Sequence, residues 1–166
     1  TDSGTSFDRE DYRHKCIESN AINKLWQVEY AQLMHAMRFS MEGKVTQALN
    51  SARQFIKARK QRHDRTRHVI IDDGGGEEDS CNEAENVGER YEGTALFVES
   101  ATKIAMQINT TKEVQDYYSG QTNEPVDHFY YTGAAQIFIM QALGGNRFVK
   151  LVETLEKRER EIGVFE

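Results

Sequence analysis

The sequence predicts an all-α fold. Three observations predict it: apolar residues recur at steps of three and four, no stretch alternates with period two over the length of a strand, and proline is nearly absent. Pro125 is the only proline in 166 residues, where average usage near 5% would supply roughly eight. Such a chain keeps long helices uninterrupted. The length suits one domain. It is read as a single helical domain over 1–166, with a front hairpin over about 20–67, a glycine-rich loop over about 72–82 and a back half over about 83–162.

Residues 7–19 are polar and mixed, without a period. From Ala21 onward, Ile22, Leu25, Trp26, Tyr30, Leu33, Met34 and Met37 make one face of an amphipathic helix, with Trp26 as a core anchor. Gly43 breaks that helix. A second helix carries Val45, Leu49, Ala52, Phe55, Ile56 and Arg59 on one face, and the two are expected to pair as a hairpin. The run Val69-Ile70-Ile71 is too short to found a sheet. Gly74-Gly75-Gly76 marks the loop, since each glycine in a helix interior costs about 1 kcal/mol relative to alanine. Asn82 is the expected cap of a long acidic helix reaching about Ile108, buried on Ala95, Val98, Thr102 and Ala105 and packed centrally. A polar loop through Gly120 and Pro125 comes next. Phe129 to Leu143 is the next helix, ended by Gly144-Gly145. A last helix is expected from Asn146, with Phe148, Val149, Val152 and Leu155 on its apolar side.

The formal charge of −6, from 21 basic and 27 acidic residues, argues against a general nucleic-acid binder. No apolar run approaches the ~18 residues that a membrane span needs. Neither nucleic acid nor membrane is therefore an expected partner. Lys57, Arg59, Lys60, Arg62, Arg65 and Arg67 face one acid in their stretch, Asp64. They make either a phosphate patch or a helix end whose cations suit the dipole and pair with acids elsewhere. No aromatic residue interleaves them, which favours the second reading. His63 and His68 are expected to be solvated, and His35, between Met34 and Met37, to be partly buried.

Glu85, Glu89, Glu92 and Glu99 lie at offsets 0, 4, 7 and 14, on one face of a regular helix. Like charges so placed repel, and cations from the second helix, a metal or water must offset them. A di-metal carboxylate bundle needs Glu-x-x-His pairs, and no glutamate stands three residues before any of the five histidines. No strand-turn-helix nucleophile elbow is present. Cys16 and Cys81 are either free thiols or a loop staple.

Two short segments carry a resemblance. Tyr91-Glu92-Gly93-Thr94-Ala95-Leu96-Phe97-Val98-Glu99 resembles the segment bearing the third zinc ligand in gluzincin metallopeptidases, Glu-Gly-x-Ala followed by an aromatic residue and often another Glu. His128-Phe129-Tyr130-Tyr131-Thr132-Gly133-Ala134-Ala135 resembles the aromatic-x-Gly-Ala start of a later helix in the same proteins. The hairpin ending in Phe55-Ile56-Lys57-Ala58-Arg59-Lys60 looks like the helices between the zinc motifs in some bacterial proteins of this kind. The likeness spans about 20–155, and its specificity sits in the two motifs.

The resemblance implies the helical part of a zinc-dependent peptidase, a hydrolase acting on peptides or proteins. Glu92 would be the third metal ligand, Glu99 an acid supporting it, and His128, Tyr130 and Tyr131 the cleft wall. In that chemistry zinc polarises the peptide carbonyl and its bound water attacks, with the Glu of His-Glu-x-x-His as general base. This chain contains no His-Glu-x-x-His. The resemblance therefore implies zinc only in a longer parent, with that motif as the missing partner segment, and an inactive chain by itself. The alternative is a catalytically silent helical module that binds a protein or peptide through its hairpin.

Overall fold

Leu33, Ala36 and Met37 are completely buried, so the stripe seen in the sequence is the inner face of α2 (Asn20–Met41). The computed structural model describes residues 9–72, 78–121 and 128–145. Its other elements are α1 (Arg9–Cys16), α3 (Val45–Thr66), β1 (Ile70–Asp72), β2 (Glu78–Ser80), α4 (Cys81–Gly88), a π-turn (Glu89–Gly93), α5 (Thr94–Ala105), α6 (Thr111–Gly120) and α7 (His128–Gly144). The fold is all-α. β1 and β2 form an antiparallel ribbon with Ile70 opposite Ser80 and Asp72 opposite Glu78. Part of the expected loop over 72–82 is thus ribbon and helix start. The helix expected from Asn146 lies outside the described residues.

α2 and α3 form the expected hairpin, turned at Gly43, whose φ of 72° lies where glycine is favoured. α2, rather than the acidic helix, is the hub: it packs on α3, α7 and α6, while α7 packs on α5 and the π-turn. The main core gathers Trp26, Tyr30, Leu33 and Met37 with Phe55, Val114, Tyr118, Ala134, Ala135 and Phe138. The Tyr30 hydroxyl donates to the Tyr118 carbonyl at 2.7 Å, and the Tyr118 and Ser100 hydroxyls lie 2.9 Å apart. Burial pushes the Tyr118 hydroxyl up to about 12.

Several expectations are corrected. α3 turns Ala48, Ser51, Phe55, Ala58, Arg62 and Thr66 inward, leaving Val45, Leu49 and Ile56 exposed. His35 is exposed rather than partly buried. The long acidic helix is capped by Ser80, not Asn82, in a capping box with Glu83. Residues placed in a polar loop contain α6, which starts at a second capping box between Thr110 and Glu113. α1 was hidden because so short a helix needs no stripe.

A second core explains α1. Tyr12, Cys16 and Ile17 meet Ile71, Cys81, Ala84 and Phe129, and Cys16 is disulfide-bonded to Cys81 across 65 residues of sequence. Closing a loop of that length removes denatured-state entropy worth about 4 kcal/mol, of which about 2–4 kcal/mol is the usual net stabilisation. Cys16→Ser with Cys81→Ser is expected to lower stability by about that amount, at roughly 2–4 °C in Tm per kcal/mol. Circular-dichroism melts with and without reductant check it, and an unchanged Tm would contradict the constraint.

Candidate functional site

The polar residues placed deepest do not belong to either sequence motif. Glu29 interrupts the apolar face of α2 between Trp26 and Tyr30, and Arg62 continues the inner face of α3. Their side chains meet in a two-bond pair: Arg62 Nε donates to Glu29 Oε2 at 2.7 Å, and Nη2 to Oε1 at 3.0 Å. Arg62 Nη2 also donates to Glu85 Oε1 at 2.6 Å. Arg59 donates to Glu85 and, at 2.6 Å, to Glu89. His63 Nε2 lies 3.2 Å from Glu85 Oε2, and Gln136 donates to Glu89 at 2.9 Å. Exposure is 0% for Arg62, 1% for Glu85 and 3% for Glu29. The reading of the basic tract as paired cations holds for Arg59 and Arg62. Its account as a solvated helix end does not hold for these two. His63 is half-buried, not solvated.

The charges divide unequally. Burial alone would raise the Glu85 carboxyl, but Arg62 and Arg59, with the His63 hydrogen bond, hold it well below the usual range. Burial pushes the Glu29 carboxyl up despite its bonds to Arg62, and Glu85 adds to the rise. This arrangement pairs the carboxylates of Glu29, Glu85 and Glu89 with the guanidiniums of Arg59 and Arg62. It is a structural joint between α2, α3 and the α4–π-turn segment.

The π-turn reorganises the acidic stripe. A π-turn holds one more residue than an α-helical turn, so every residue after it is rotated by about 100°. Glu85 and Glu89 face inward, but Gly93 takes the inward place that a regular helix would give to Glu92. Beyond it Phe97, Ser100 and Ile104 face the core or pack against it. Ala95, Val98, Thr102 and Ala105, expected inside, are exposed. Glu99 is also exposed and bonds Lys103 one turn on. Seven residues from Glu92, about 10 Å along the axis, it lies too far along to touch that carboxylate.

The two motifs nevertheless meet. A β-carbon at Gly133 would stand 2.8 Å from Gly93 Cα and closer still to the Glu89 carbonyl oxygen. The π-turn and α7 thus cross backbone to backbone. Glu92, beside this crossing, is half-buried, with its Oε2 shielded from solvent. The Tyr131 ring packs edge-on against Tyr117 and Tyr118 of α6, with centroids 5.7 and 5.6 Å away. Tyr130 is half-buried on the first turn of α7, the turn that begins at His128.

Among the described residues no group of three His, Cys, Asp or Glu side chains is placed to hold a metal ion. A zinc site needs three or four protein ligands, so these residues do not by themselves make one. Comparison with protein-family models, curated proteins and solved structures returns no match.

The geometry sets two expectations. Arg62→Met strips partners from Glu29 and Glu85, at a cost of about 3–5 kcal/mol near neutral pH. A depressed carboxyl contributes stability above its unfolded range, lost as pH falls through the folded value. A raised one acts oppositely, losing stability as pH rises. Without Arg62 both carboxyls shift upward, so the variant should recover part of its loss at about pH 5. Urea midpoints at the two pH values decide, and an equal loss at both would refute the account. Separately, Gly133→Ala forces backbone apart and should cost about 1–3 kcal/mol. Gly120→Ala, with no atom within 4 Å of the new carbon, should be close to neutral in the same melts.

Proposed function

We propose that the chain is the helical part of a zinc-dependent peptidase, in which Glu92 is one metal ligand. The paired histidines and the general base would come from a His-Glu-x-x-His helix outside these 166 residues. The observation that carries this reading is the bare-backbone crossing of the Glu92-Gly93 motif on the Gly133-Ala134 motif. Two segments about forty residues apart in sequence, each resembling the same family, are in contact. The π-turn adds support, since such turns are frequent at functional sites.

A carboxylate beside so tight a crossing is held by backbone rather than by a flexible loop, as a ligand position requires. One carboxylate with two imidazoles can complete three corners of a tetrahedral zinc site, leaving the fourth for water. His128 and Tyr130, on the first turn of α7, are the candidates for the cleft wall, with a peptide or protein as substrate. Tyr131, half-buried on the same turn, is the third candidate and also packs on α6. The Cys16–Cys81 bond suits an oxidising compartment.

The test is metal content. The isolated chain is expected to bind no stoichiometric zinc and to cleave no peptide, whereas a parent protein containing His-Glu-x-x-His should do both. In that parent Glu92→Gln should cut zinc occupancy and activity while leaving the melt of the zinc-free protein nearly unchanged, because the helix propensities of Glu and Gln are close. Unchanged zinc and activity would remove Glu92 from the site. A parent without the motif would leave the helical binding module as the better reading.

A further inference from the structure

α3 faces the wrong way for a helix that has finished packing. Its small residues Ala48, Ser51 and Ala58 lie inside against α2, while its larger aliphatic side chains lie outside. Val45 is 53%, Leu49 40% and Ile56 62% exposed. With half-buried Ala52 these four occur at i, i+4, i+7 and i+11. At 100° per residue they fall in a sector roughly 60° wide, about 16 Å long. That is the pattern of a seam that receives another helix.

The flank of the seam is charged with one sign. Arg53, Lys60 and Lys57 occupy the adjoining sector and are all exposed. Among the described residues none of the three forms a salt bridge; Arg53 bonds only the Asn50 side chain. The chain as a whole is acidic, with 27 acids against 21 bases, yet α3 carries one acid, Asp64, near its end. Its other two guanidiniums on this stretch, Arg59 and Arg62, are consumed by the buried network. Among the described residues, these cations are therefore left beside an apolar seam with no carboxylate in salt-bridge contact.

We infer that the outer face of α3 is a docking surface for an acidic amphipathic helix of a partner protein. The partner's apolar residues would cover Val45, Leu49, Ala52 and Ile56, and carboxylates along one edge would meet Arg53, Lys57 and Lys60. Interfaces of this mode are read by anchors at i, i+4 and i+7, with charge complementarity setting orientation and partner choice. An anionic membrane would meet the same cations, but a chain of net charge −6 is repelled by such a surface, and no Trp or Phe stands in the seam. The surface is independent of the zinc reading and requires no metal.

The probe is a fluorescein-labelled helical peptide of about 18 residues, with leucines at i, i+4, i+7 and i+11 and glutamates along one edge. Its control carries lysines in place of the glutamates. The glutamate peptide should bind the intact chain saturably at near-physiological salt, about tenfold or more tighter than the lysine peptide. Leu49→Asp with Ile56→Asp should abolish binding with the melt unchanged, since both side chains are exposed. Lys57→Glu with Lys60→Glu should reverse the preference between peptides.

Equal affinity for the two peptides, no saturable binding, or binding indifferent to Ile56→Asp would overturn the proposal. So would a dimer in sedimentation that Ile56→Asp dissolves, which would make a second copy the occupant. Binding to phosphatidylserine vesicles, lost in the same variants without any peptide binding, would assign the face to a membrane instead.

Discussion

Everything in this fold turns on where two guanidiniums sit. Arg59 and Arg62 leave α3 less than one turn apart and reach carboxylates from two other parts of the chain, Glu29 of α2 and Glu85 and Glu89 of the back half. Removing charges from water costs several kcal/mol per ion, so such a network adds little stability over an apolar core of equal volume. What it supplies is placement. A slip of α3 by one turn along α2 would strand Glu29, and a slip of α4 would strand Glu85, each left as a buried uncompensated charge. The hairpin and the back half are joined in one register because the alternatives are electrostatically expensive.

The placement propagates to the π-turn. Glu89 is held from one side by Arg59 and from the other by Gln136 of α7, at the residue where the π-turn begins. The turn's extra residue lets Glu85 and Glu89 reach the network while Gly93 still faces α7. In a regular helix Glu92 would occupy that inward place, and a carboxylate there would keep α7 away. The crossing at Gly133 and the network at Arg59 are thus satisfied together by one local irregularity. Glu92 ends beside the crossing as a consequence.

The helical character, the hairpin and its turn at Gly43, and the core anchors on α2 were legible because each shows in local periodicity or in a single residue type. The inner face of α3 was not. The 3.6-residue period fits Val45-Leu49-Ala52-Ile56 as well as Ala48-Phe55-Arg62, and hydrophobicity chooses the first, whereas ion pairing with Glu29 and Glu85 chooses the second. A glutamate inside an otherwise apolar stripe, as Glu29 is, was the available signal that a buried cation had to be found for it. α6 was legible in principle from Thr110-x-x-Glu113, as the acidic helix start was from Ser80-x-x-Glu83. The π-turn was not, because nothing in the propensities of Glu89 to Gly93 distinguishes it from an α-helical turn. Its cause is the tertiary demand of Arg59 and Gly133 on neighbouring residues.

The same competition explains why α3 has an apolar outside. A helix of 22 residues has two usable faces, and here the face carrying the guanidiniums is the one bound to α2. Small Ala48, Ser51 and Ala58 then allow α3 to approach α2 closely enough for Arg62 to form both its bonds to Glu29. Phe55 is the one large apolar side chain that this face carries into the core. Val45, Leu49 and Ile56 lie off this face because the register that pairs Arg62 with Glu29 turns them outward. They are left on an exposed flank beside Arg53, Lys57 and Lys60, which form no salt bridge among the described residues, and it is this juxtaposition that supports the docking of an acidic helix.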